Sequence, residues 1–417
     1  MNLTGDSRVI SKYYLYKATT SPGFMFPVYT LLLLSRDLTF VQIGITGTAT
    51  ALAKILGEVP TGYIGDRVGR RNSLVISQLL FASVPAGLVF AERFPVFVAI
   101  FATLGLAETF QSGSGDAWLY DTLLEEADAE SFTSVRGRAG ALRKFVGSVT
   151  MVLGGVLYAV NQIYPFVAAA CMSALGALVL VTLPPNRHLE GETLSPTSAL
   201  SAARTQLLSI PLRSFVLFVG LLFAAIRATE EFIQPATAGA IEATVSSLTI
   251  AGQPLPDSAV LGVMYASFTL VSAVASDSAG SLSSRLGTKG VLALVSSAMV
   301  VSMLIPTLVP AVVIPTFFVL QASKSIMRPI ANQYINDRTD SFGRATVLSA
   351  FSLLFGLLTV PFMLIGGVVA DRTSAIVAVA GIGGVYLLSS LCSVVWESPV
   401  VGATEQSESG AASAATD

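Results

Sequence analysis

The sequence predicts an all-α membrane protein with twelve transmembrane helices in two pseudo-symmetric six-helix bundles. Of its 417 residues 53% are apolar and only 12% are charged, whereas soluble domains carry roughly 25% charged residues. Apolar windows of about 20 residues, the length that crosses a bilayer as a helix, recur twelve times along the chain. A short motif also recurs at the equivalent place in each half, which is typical of an internal duplication.

The twelve windows define the elements in chain order. The predicted spans of the first half are 13–35, 40–65, 73–91, 94–120, 137–160 and 164–183. Those of the second half are 213–238, 257–282, 290–309, 311–334, 344–369 and 373–396. A long polar link separates the halves, and the polar tail is predicted to be disordered. The predicted domains are therefore a bundle at 1–183, a cytoplasmic linker at 184–212, a bundle at 213–396 and a cytoplasmic tail at 397–417.

The distribution of basic residues predicts the orientation, because cytoplasmic loops are enriched in Lys and Arg. With a cytoplasmic N-terminus, only Arg36, Arg93 and Arg372 fall outside. The residues then placed inside are Arg8, Lys12, Arg67, Arg70, Arg71, Arg136, Arg138, Arg187, Arg204, Arg213, Arg285, Lys289, Arg338 and Arg344. The opening residues contain no cleavable apolar core, so no signal peptide is predicted. We expect a multi-pass protein of the plasma membrane with both termini in the cytoplasm.

Several function classes are excluded at this stage. The formal net charge of −2 gives no footprint for nucleic acid. Cys171 and Cys392 lie in apolar stretches without paired or metal-ligand spacing, so we expect both to pack in the core. A serine nucleophile would need a base, and the single histidine, His188, lies in the central link. Asp116 and Asp121 lie on one helix about 140° apart, unlike the facing aspartates of intramembrane proteases. We therefore expect a protein that binds no metal or cofactor and is not an enzyme.

The internal repeat joins the two halves. The segment "GYIGDRVGRRN" after the second span aligns with "GSLSSRLGTKG" after the eighth. Three identities result, in which Gly62, Arg67 and Gly69 match Gly280, Arg285 and Gly287. The second copy has Ser284 where the first has Asp66, so only the first copy carries the carboxylate.

The pattern G-x-x-x-D-R-x-G-R-R, from Gly62 to Arg71, resembles the signature of the major facilitator superfamily. The resemblance implies that spans 1, 4, 7 and 10 line a central cavity and that spans 2, 5, 8 and 11 form the contact between the halves. It also implies that rocking exposes the cavity to each side in turn. The segments "YDTLLEEAD" and "GRATVLSAFSLLFGLL" resemble members that export drugs or sugars.

The signature predicts a conformational latch. Glycines let the backbone turn sharply, and a carboxylate can cap a helix N-terminus or accept from an arginine. An ordinary positively charged loop would explain Arg70 and Arg71 but not the carboxylate with its glycines. The predicted latch residues are Gly62, Asp66, Arg67, Gly69, Arg70, Arg71 and Arg344.

Charges inside the spans are candidates for the cavity, because each one costs several kcal/mol unless it is paired or hydrated. At a rise of 1.5 Å per residue, Glu108 and Lys324 share a depth of about 20 Å, with Arg328 at about 14 Å and Asp116 at about 8 Å. The first half then has an acidic wall and the second a basic one. Arg227 precedes Glu230 and Glu231 by one helical turn, so we expect these three to neutralise one another. The candidate proton and substrate residues are Glu108, Asp116, Arg227, Glu230, Lys324 and Arg328.

A further set of charges is predicted at the contact between halves. Asp277 in span eight and the cations Arg143 and Lys144 in span five share a depth of about 10–12 Å, so we expect them to pair when the cytoplasmic side is closed. Lys54 and Glu58 lie one turn apart in span two and form a predicted structural couple. Asp66 and Glu58 are also expected near the start of span eleven, where helix N-terminal amides stabilise an anion.

These features predict a secondary transporter of small solutes that exports amphipathic compounds in exchange for protons by alternating access. Desolvation favours the protonated form of a buried carboxylate, and Glu108 or Asp116 is the predicted titrating group. The chain departs from drug antiporters, since Glu108 stands three residues before Gln111 where many of them have arginine, and span five lacks their Gly-Pro motif. Proton-coupled uptake or facilitated passage of a sugar-like or anionic solute is therefore the alternative, and a non-transporting sensor or scaffold is a remote one. The expected partners are the substrate, protons and the bilayer, with a monomeric chain.

Overall fold

The protein is helical almost throughout. The computed structural model describes residues 3–21, 23–125, 131–185, 210–244, 249–250, 253–254, 256–339 and 344–400. In chain order the helices are α1 (Leu3–Thr19), α2 (Tyr29–Ser35), α3 (Phe40–Val68), α4 (Arg70–Phe90), α5 (Phe94–Glu125), α6 (Phe132–Val160), α7 (Tyr164–Val181), α8 (Ile210–Thr229), α9 (Ile233–Thr244), α10 (Asp257–Leu304), α11 (Val313–Asn336), α12 (Arg344–Arg372) and α13 (Ala375–Trp396). A two-residue antiparallel pair, β1 (Thr249–Ile250) and β2 (Gln253–Pro254), is an addition to the expected all-α fold.

Ten helical stretches among the described residues are long and apolar enough to cross a membrane. Helices suit this setting because lipid offers no partner for an unpaired backbone group. The stretch Asp257–Thr307 is 51 residues long and covers both the eighth and the ninth predicted spans. The predicted first span at 13–35 is wrong as a continuous helix: α1 ends at Thr19 and α2 begins at Tyr29. Gly23 and Pro27 lie in the turn between them, where both residue types disfavour a helix.

The chain divides into two compact units. The first comprises Met1–Glu192 together with Glu231–Leu270 and Gly366–Ala375, and the second comprises Thr193–Glu230, Val271–Ile365 and Ile376–Asp417. The first unit thus holds α1 to α7 with short segments from later in the chain.

The signature segment is a helix–helix junction rather than an extended loop. Helix α3 continues through the signature as far as Val68, and α4 begins at Arg70, so only Gly69 separates them. Gly69 has φ 85° and Gly287, its partner in the repeat, has φ 65°. These are the two positive-φ glycines of the described chain, and both lie in a region of backbone conformation that is essentially restricted to glycine. The prediction of a sharp turn at Gly62 is wrong, because Gly62 lies inside α3, which continues to Val68.

The backbone amides at the start of α3, from Thr39 to Gln42, all donate hydrogen bonds. Thr39 and Gln42 form a capping box, in which the Thr39 side chain accepts from the Gln42 amide at 3.2 Å and the Gln42 side chain accepts from the Thr39 amide at 3.0 Å. The two amides between them, of Phe40 and Val41, donate to the two carboxylate oxygens of Asp371 at 2.6 and 3.0 Å. Four amides that a helix normally leaves unpaired are therefore bonded.

Two apolar clusters form the core of the first unit. One surrounds Phe97 and Phe166, and the other surrounds Trp118, which is fully buried and stacks on Tyr13 with ring centroids 5.7 Å apart. Helices α3 and α5 approach closely at Gly105, where a Cβ would collide with the Thr50 carbonyl. Small residues at such contacts favour helix association in membranes, since they let backbones pack directly.

The second unit is centred on α8, much of which is buried. Phe215 of α8 stacks on Tyr334 of α11 with centroids 3.8 Å apart, and the buried Tyr386 hydroxyl donates to Ser296 at 2.9 Å.

The prediction that Cys171 and Cys392 pack in the core is wrong, because both are exposed. In a membrane protein an apolar position can face lipid as well as the core, so apolar surroundings in sequence do not establish burial.

The two glycine breaks generate a stability prediction. Replacing Gly287 by alanine should lower the thermal unfolding midpoint of the purified protein, since a non-glycine residue in this conformation costs about 1–3 kcal/mol. The matched control is Gly280→Ala, because Gly280 is helical and has open space around a Cβ. The control should leave the midpoint unchanged or raise it slightly. Equal midpoints for the two variants would show that the Gly287 backbone conformation is not required.

Candidate functional site

A cavity of about 370 Å³ lies inside the first unit. Helices α1, α3, α4, α5, α6 and α7 each contribute to its wall. Its uncharged polar residues are Thr19, Thr20, Ser21, Gln78, Gln111, Ser112 and Ser173, and its charged residues are Lys54, Glu108 and Arg143. The remaining wall is apolar and aromatic, formed by Met25, Phe26, Phe81, Val84, Pro85, Leu104 and Ala169. We call this space the inner cavity. It combines ring-sized apolar surface with hydrogen-bonding groups, which is typical of a small-molecule site.

An interhelical ion pair lies in the wall of the inner cavity. The Lys54 ammonium of α3 donates to Glu108 Oε2 of α5 at 3.1 Å. The two side chains are 49% and 39% exposed, so the pair is open to the cavity rather than enclosed. Glu108, chosen from sequence for its depth, therefore lines a cavity, and its neighbour across the helix contact is Lys54.

Asp116, the second predicted titrating group, has a different position. Its Oδ2 accepts from Arg136 Nη2 at 2.7 Å, and it lines a second cavity of about 790 Å³ in the same unit. Both partners are more than half exposed, so solvent screens the pair and its contribution to stability is small.

The signature arginines are bonded to helices of the first unit. Arg70 donates to the Ala117 carbonyl at 3.1 Å and forms an ion pair with Asp121, a carboxylate only 8% exposed. Arg71 donates to the Leu183 carbonyl at 3.1 Å, and Arg67 lies over the Tyr63 ring at 4.5 Å. These bonds tie the α3–α4 junction to α5 and to the end of α7. The side chains of Asp66 and Arg344 lie outside the described residues, so their latch role stays a prediction.

The second unit holds a separate charged cluster. Glu230 accepts from Lys324 at 2.5 Å and lies 3.6 Å from Arg227, which is three residues earlier. Arg328, one turn along α11 from Lys324, is exposed. Glu108 and Lys324 belong to different units, so their predicted meeting in one cavity stays a prediction.

The comparisons with known proteins decide the family. The family model described as Major Facilitator Superfamily matches residues 18–255, more than half of the chain. The chain belongs to the major facilitator superfamily. The superfamily signature lies at the α3–α4 junction described above.

Two curated relatives match part of the chain. "Uncharacterized MFS-type transporter YxaM" of Bacillus subtilis (strain 168) is 27% identical over 161 residues, covering 38% of this chain and 39% of that protein. "Probable vesicular acetylcholine transporter-B" of Danio rerio is 30% identical over 144 residues, covering 34% and 29%. The match thus spans well under half of either superfamily relative.

A solved structure resembles nearly the whole fold. The nucleoside transporter NupG superposes with a TM-score of 0.76 at 13% identity, over 95% of this chain and 99% of that one. At this identity the likeness shows the superfamily fold alone.

Sequence reasoning missed a group of contacts made by the late segments of the first unit. Glu231 accepts from the Tyr29 hydroxyl at 2.6 Å. Gln234 accepts from the Thr30 amide at 2.8 Å and donates to the Phe26 carbonyl at 2.9 Å. Asp371 caps α3, as described above. All three side chains hold backbone or side-chain groups of α2, the turn before it, or the start of α3.

The signal for Asp371 was present in the sequence. The segment from Gly367 to Arg372, which reads GVVADR, repeats the G-x-x-x-D-R part of the superfamily signature. It lies at the C-terminal end of the predicted eleventh span. A Cβ on Gly367 would collide with the backbone of Phe40 and Val41, so the glycine permits the close approach that the Asp371 cap needs. No comparable pattern marks Glu231 or Gln234.

The predicted charges at the contact between halves have separate positions. Arg143 lines both cavities of the first unit and Lys144 lines the second. Asp277 is an exposed residue of the second unit, so its pairing with either cation stays a prediction. Glu58 is exposed on α3.

The Asp371 cap generates a stability prediction. Asp371→Ala should lower the thermal unfolding midpoint by the equivalent of about 1 kcal/mol, since it removes both side-chain acceptors from a helix N-terminus. The control is Glu92→Ala, which changes an exposed carboxylate in the turn after α4 and should have no effect. A midpoint for Asp371→Ala equal to that of the control would contradict a stabilising cap.

Proposed function

We propose that the protein is a secondary active transporter that couples movement of a small amphipathic solute to protons through Glu108, with efflux in exchange for protons as the direction. The observation that supports this best is the Lys54–Glu108 pair in the wall of the inner cavity. A carboxylate that is accessible from a cavity can be ionised and paired with a cation, or it can bind a proton and release that cation.

The proposed coupling works through the charge of the inner cavity. With Glu108 ionised, the wall carries Lys54 and Arg143 against one carboxylate, for a net charge of +1. A proton on Glu108 breaks the ion pair and raises the charge to +2. Because the freed ammonium must be hydrated or find another acceptor, protonation alters both the binding strength of the cavity and the position of Lys54.

The lining supports a solute with an apolar or aromatic part and several hydrogen-bonding groups. Seven uncharged polar side chains and seven apolar or aromatic residues, among them Met25, Phe26 and Phe81, line the same space. The net positive charge favours an uncharged or anionic solute over a cation. One relative is named for acetylcholine and one structural neighbour for nucleosides, and the lining matches the second description better.

Proton-coupled uptake or facilitated passage of a sugar-like or anionic solute is the second candidate. Arg143 supports it, since this cation lines the inner cavity and no ion pair among the described residues of the first unit includes it. The two candidates differ in the pH gradient that drives accumulation.

The wider architecture is proposed on the superfamily pattern. We infer twelve crossings in two six-helix bundles, rocker-switch exchange of the accessible side, a plasma-membrane location with both termini cytoplasmic, and a monomeric transporter. Asp66, Arg344 and the Asp277 pairing with Arg143 or Lys144 would act as the latch when the cytoplasmic side closes.

Proton flux in proteoliposomes tests the proposal. The wild-type protein should move protons when members of a chemically diverse solute panel are added, in one direction of the pH gradient. Glu108→Gln should reduce this flux to the level of empty liposomes, because the amide cannot exchange a proton, while solute binding persists. The control Glu92→Gln should behave as wild type.

Accumulation of solute inside the liposomes that is driven by protons moving inward would identify proton-coupled uptake rather than efflux. Wild-type proton flux in Glu108→Gln would contradict the proposed role of Glu108. Absence of flux for every member of the panel, from protein that binds none of them, would favour a sensor or scaffold.

A further inference from the structure

The second cavity of the first unit has a composition unlike that of the inner cavity. Its volume is about 790 Å³ and it lies among α1, α5 and α6. Four of its lining residues are cations and one is an anion, and the full lining is Tyr13, Lys17, Asp116, Phe132, Thr133, Arg136, Gly137, Gly140, Ala141, Arg143 and Lys144. We call this space the basic cavity.

Most of this positive charge is not neutralised within the first unit. Asp116 bonds Arg136 through two nitrogens, at 2.7 and 2.9 Å. The ion pairs between described residues of this unit do not include Lys17, Arg143 or Lys144. Lys17 is attracted by Asp116 and repelled by Arg143 and Arg136, so the single carboxylate is shared among several cations. The basic cavity therefore carries a net charge of +3, which a bound anion would offset.

A buried hydroxyl points to a ligand independently of the charges. Tyr13 is 1% exposed, and its hydroxyl has no hydrogen-bond partner among the described residues. Leaving a buried hydroxyl unpaired is costly. The same side chain lines the basic cavity, and the Lys17 ammonium lies 5.4 Å from its ring centroid. An oxygen acceptor bound beside Lys17 would satisfy the hydroxyl.

Helix α6 leaves room for such a ligand. Gly137 and Gly140 lie on the α6 side of the basic cavity, and a Cβ at either position would meet nothing within 4 Å. The open wall and the ring of cations thus belong to the same space.

We propose that the basic cavity binds a phosphate group. A phosphate monoester carries about −1.5 to −2 charges at neutral pH and offers three strong acceptor oxygens, which fits three unneutralised cations and one unpaired hydroxyl. A carboxylate carries one charge and two acceptor oxygens. Arginine also binds phosphate through two parallel N–H bonds. The group belongs either to a soluble phosphate monoester or to a lipid whose headgroup is itself a phosphate monoester. Neither source depends on the transport activity proposed above.

Two binding measurements on the full-length purified protein distinguish the sources. Glycerol 3-phosphate is titrated calorimetrically into protein in phosphatidylcholine nanodiscs. In a second arm, phosphatidic acid is mixed into the nanodiscs and the lipid retained by the protein is counted by native mass spectrometry. Binding in the first arm alone identifies a soluble phosphate ester, and binding in the second alone identifies a lipid headgroup.

Variants locate the binding in the basic cavity. Lys17→Gln/Lys144→Gln should weaken binding of the active probe by about ten-fold or more, since each cation near an anionic group contributes measurably. Tyr13→Phe keeps the ring stacked on Trp118 and should weaken binding by a smaller factor. Arg138→Gln changes an exposed cation of the same helix outside the lining and should bind as wild type does.

Three results would overturn the proposal. The first is that neither probe binds the wild-type protein. The second is that the double variant and Tyr13→Phe, with unchanged elution and helical content, bind as tightly as wild type. The third is that acetate binds with the affinity of the phosphate probes, which would show a site for anions in general.

Discussion

Charge inside an apolar body must be paired or hydrated, and this constraint governs the chemistry of both units. Removing one partner of a buried ion pair lowers the folding stability by about 3–5 kcal/mol, whereas a pair open to solvent contributes little to that stability. The Arg70–Asp121 pair lies nearer the first case, because its carboxylate is only 8% exposed although its guanidinium is 42% exposed. The Lys54–Glu108 pair, with exposures of 49% and 39%, lies toward the second. The first kind fixes the α3–α4 junction, and the second can open and close at small cost, as the proposed coupling requires.

Helix α3 brings these roles together. Its first amides are held by the Thr39–Gln42 box and by Asp371, and its middle carries Lys54 toward Glu108. It ends at Gly69, whose backbone conformation is essentially available only to glycine. A helix that is firmly capped at one end and sharply ended at the other holds Lys54 at a fixed depth. The position of the ion pair thus follows from residues more than ten positions away from it in sequence.

The sequence predicted the coarse architecture because hydropathy and repeat matching are local properties. The match of Gly69 to Gly287 is reflected in their shared positive φ, although only three identities supported it. A sequence places a residue along a predicted helix but does not show its direction around the helix axis. For that reason the Lys54–Glu108 and Asp116–Arg136 partners were not predicted, and Cys171 and Cys392 were wrongly placed in the core. Asp371 was overlooked for a different reason, since its G-x-x-x-D-R pattern was present but was sought only after the second and eighth spans.

The central claim, that Glu108 is the group that gains and loses the coupled proton, is tested most directly by infrared difference spectroscopy of the reconstituted protein across a pH titration. The account predicts that addition of a transported solute changes the protonated carboxylic acid band by the equivalent of one carboxyl in the wild-type protein and in Glu92→Gln, and that this solute-dependent change is lost in Glu108→Gln. A solute-dependent change of the same amplitude in Glu108→Gln would contradict the account, because the titrating carboxyl would then be another residue.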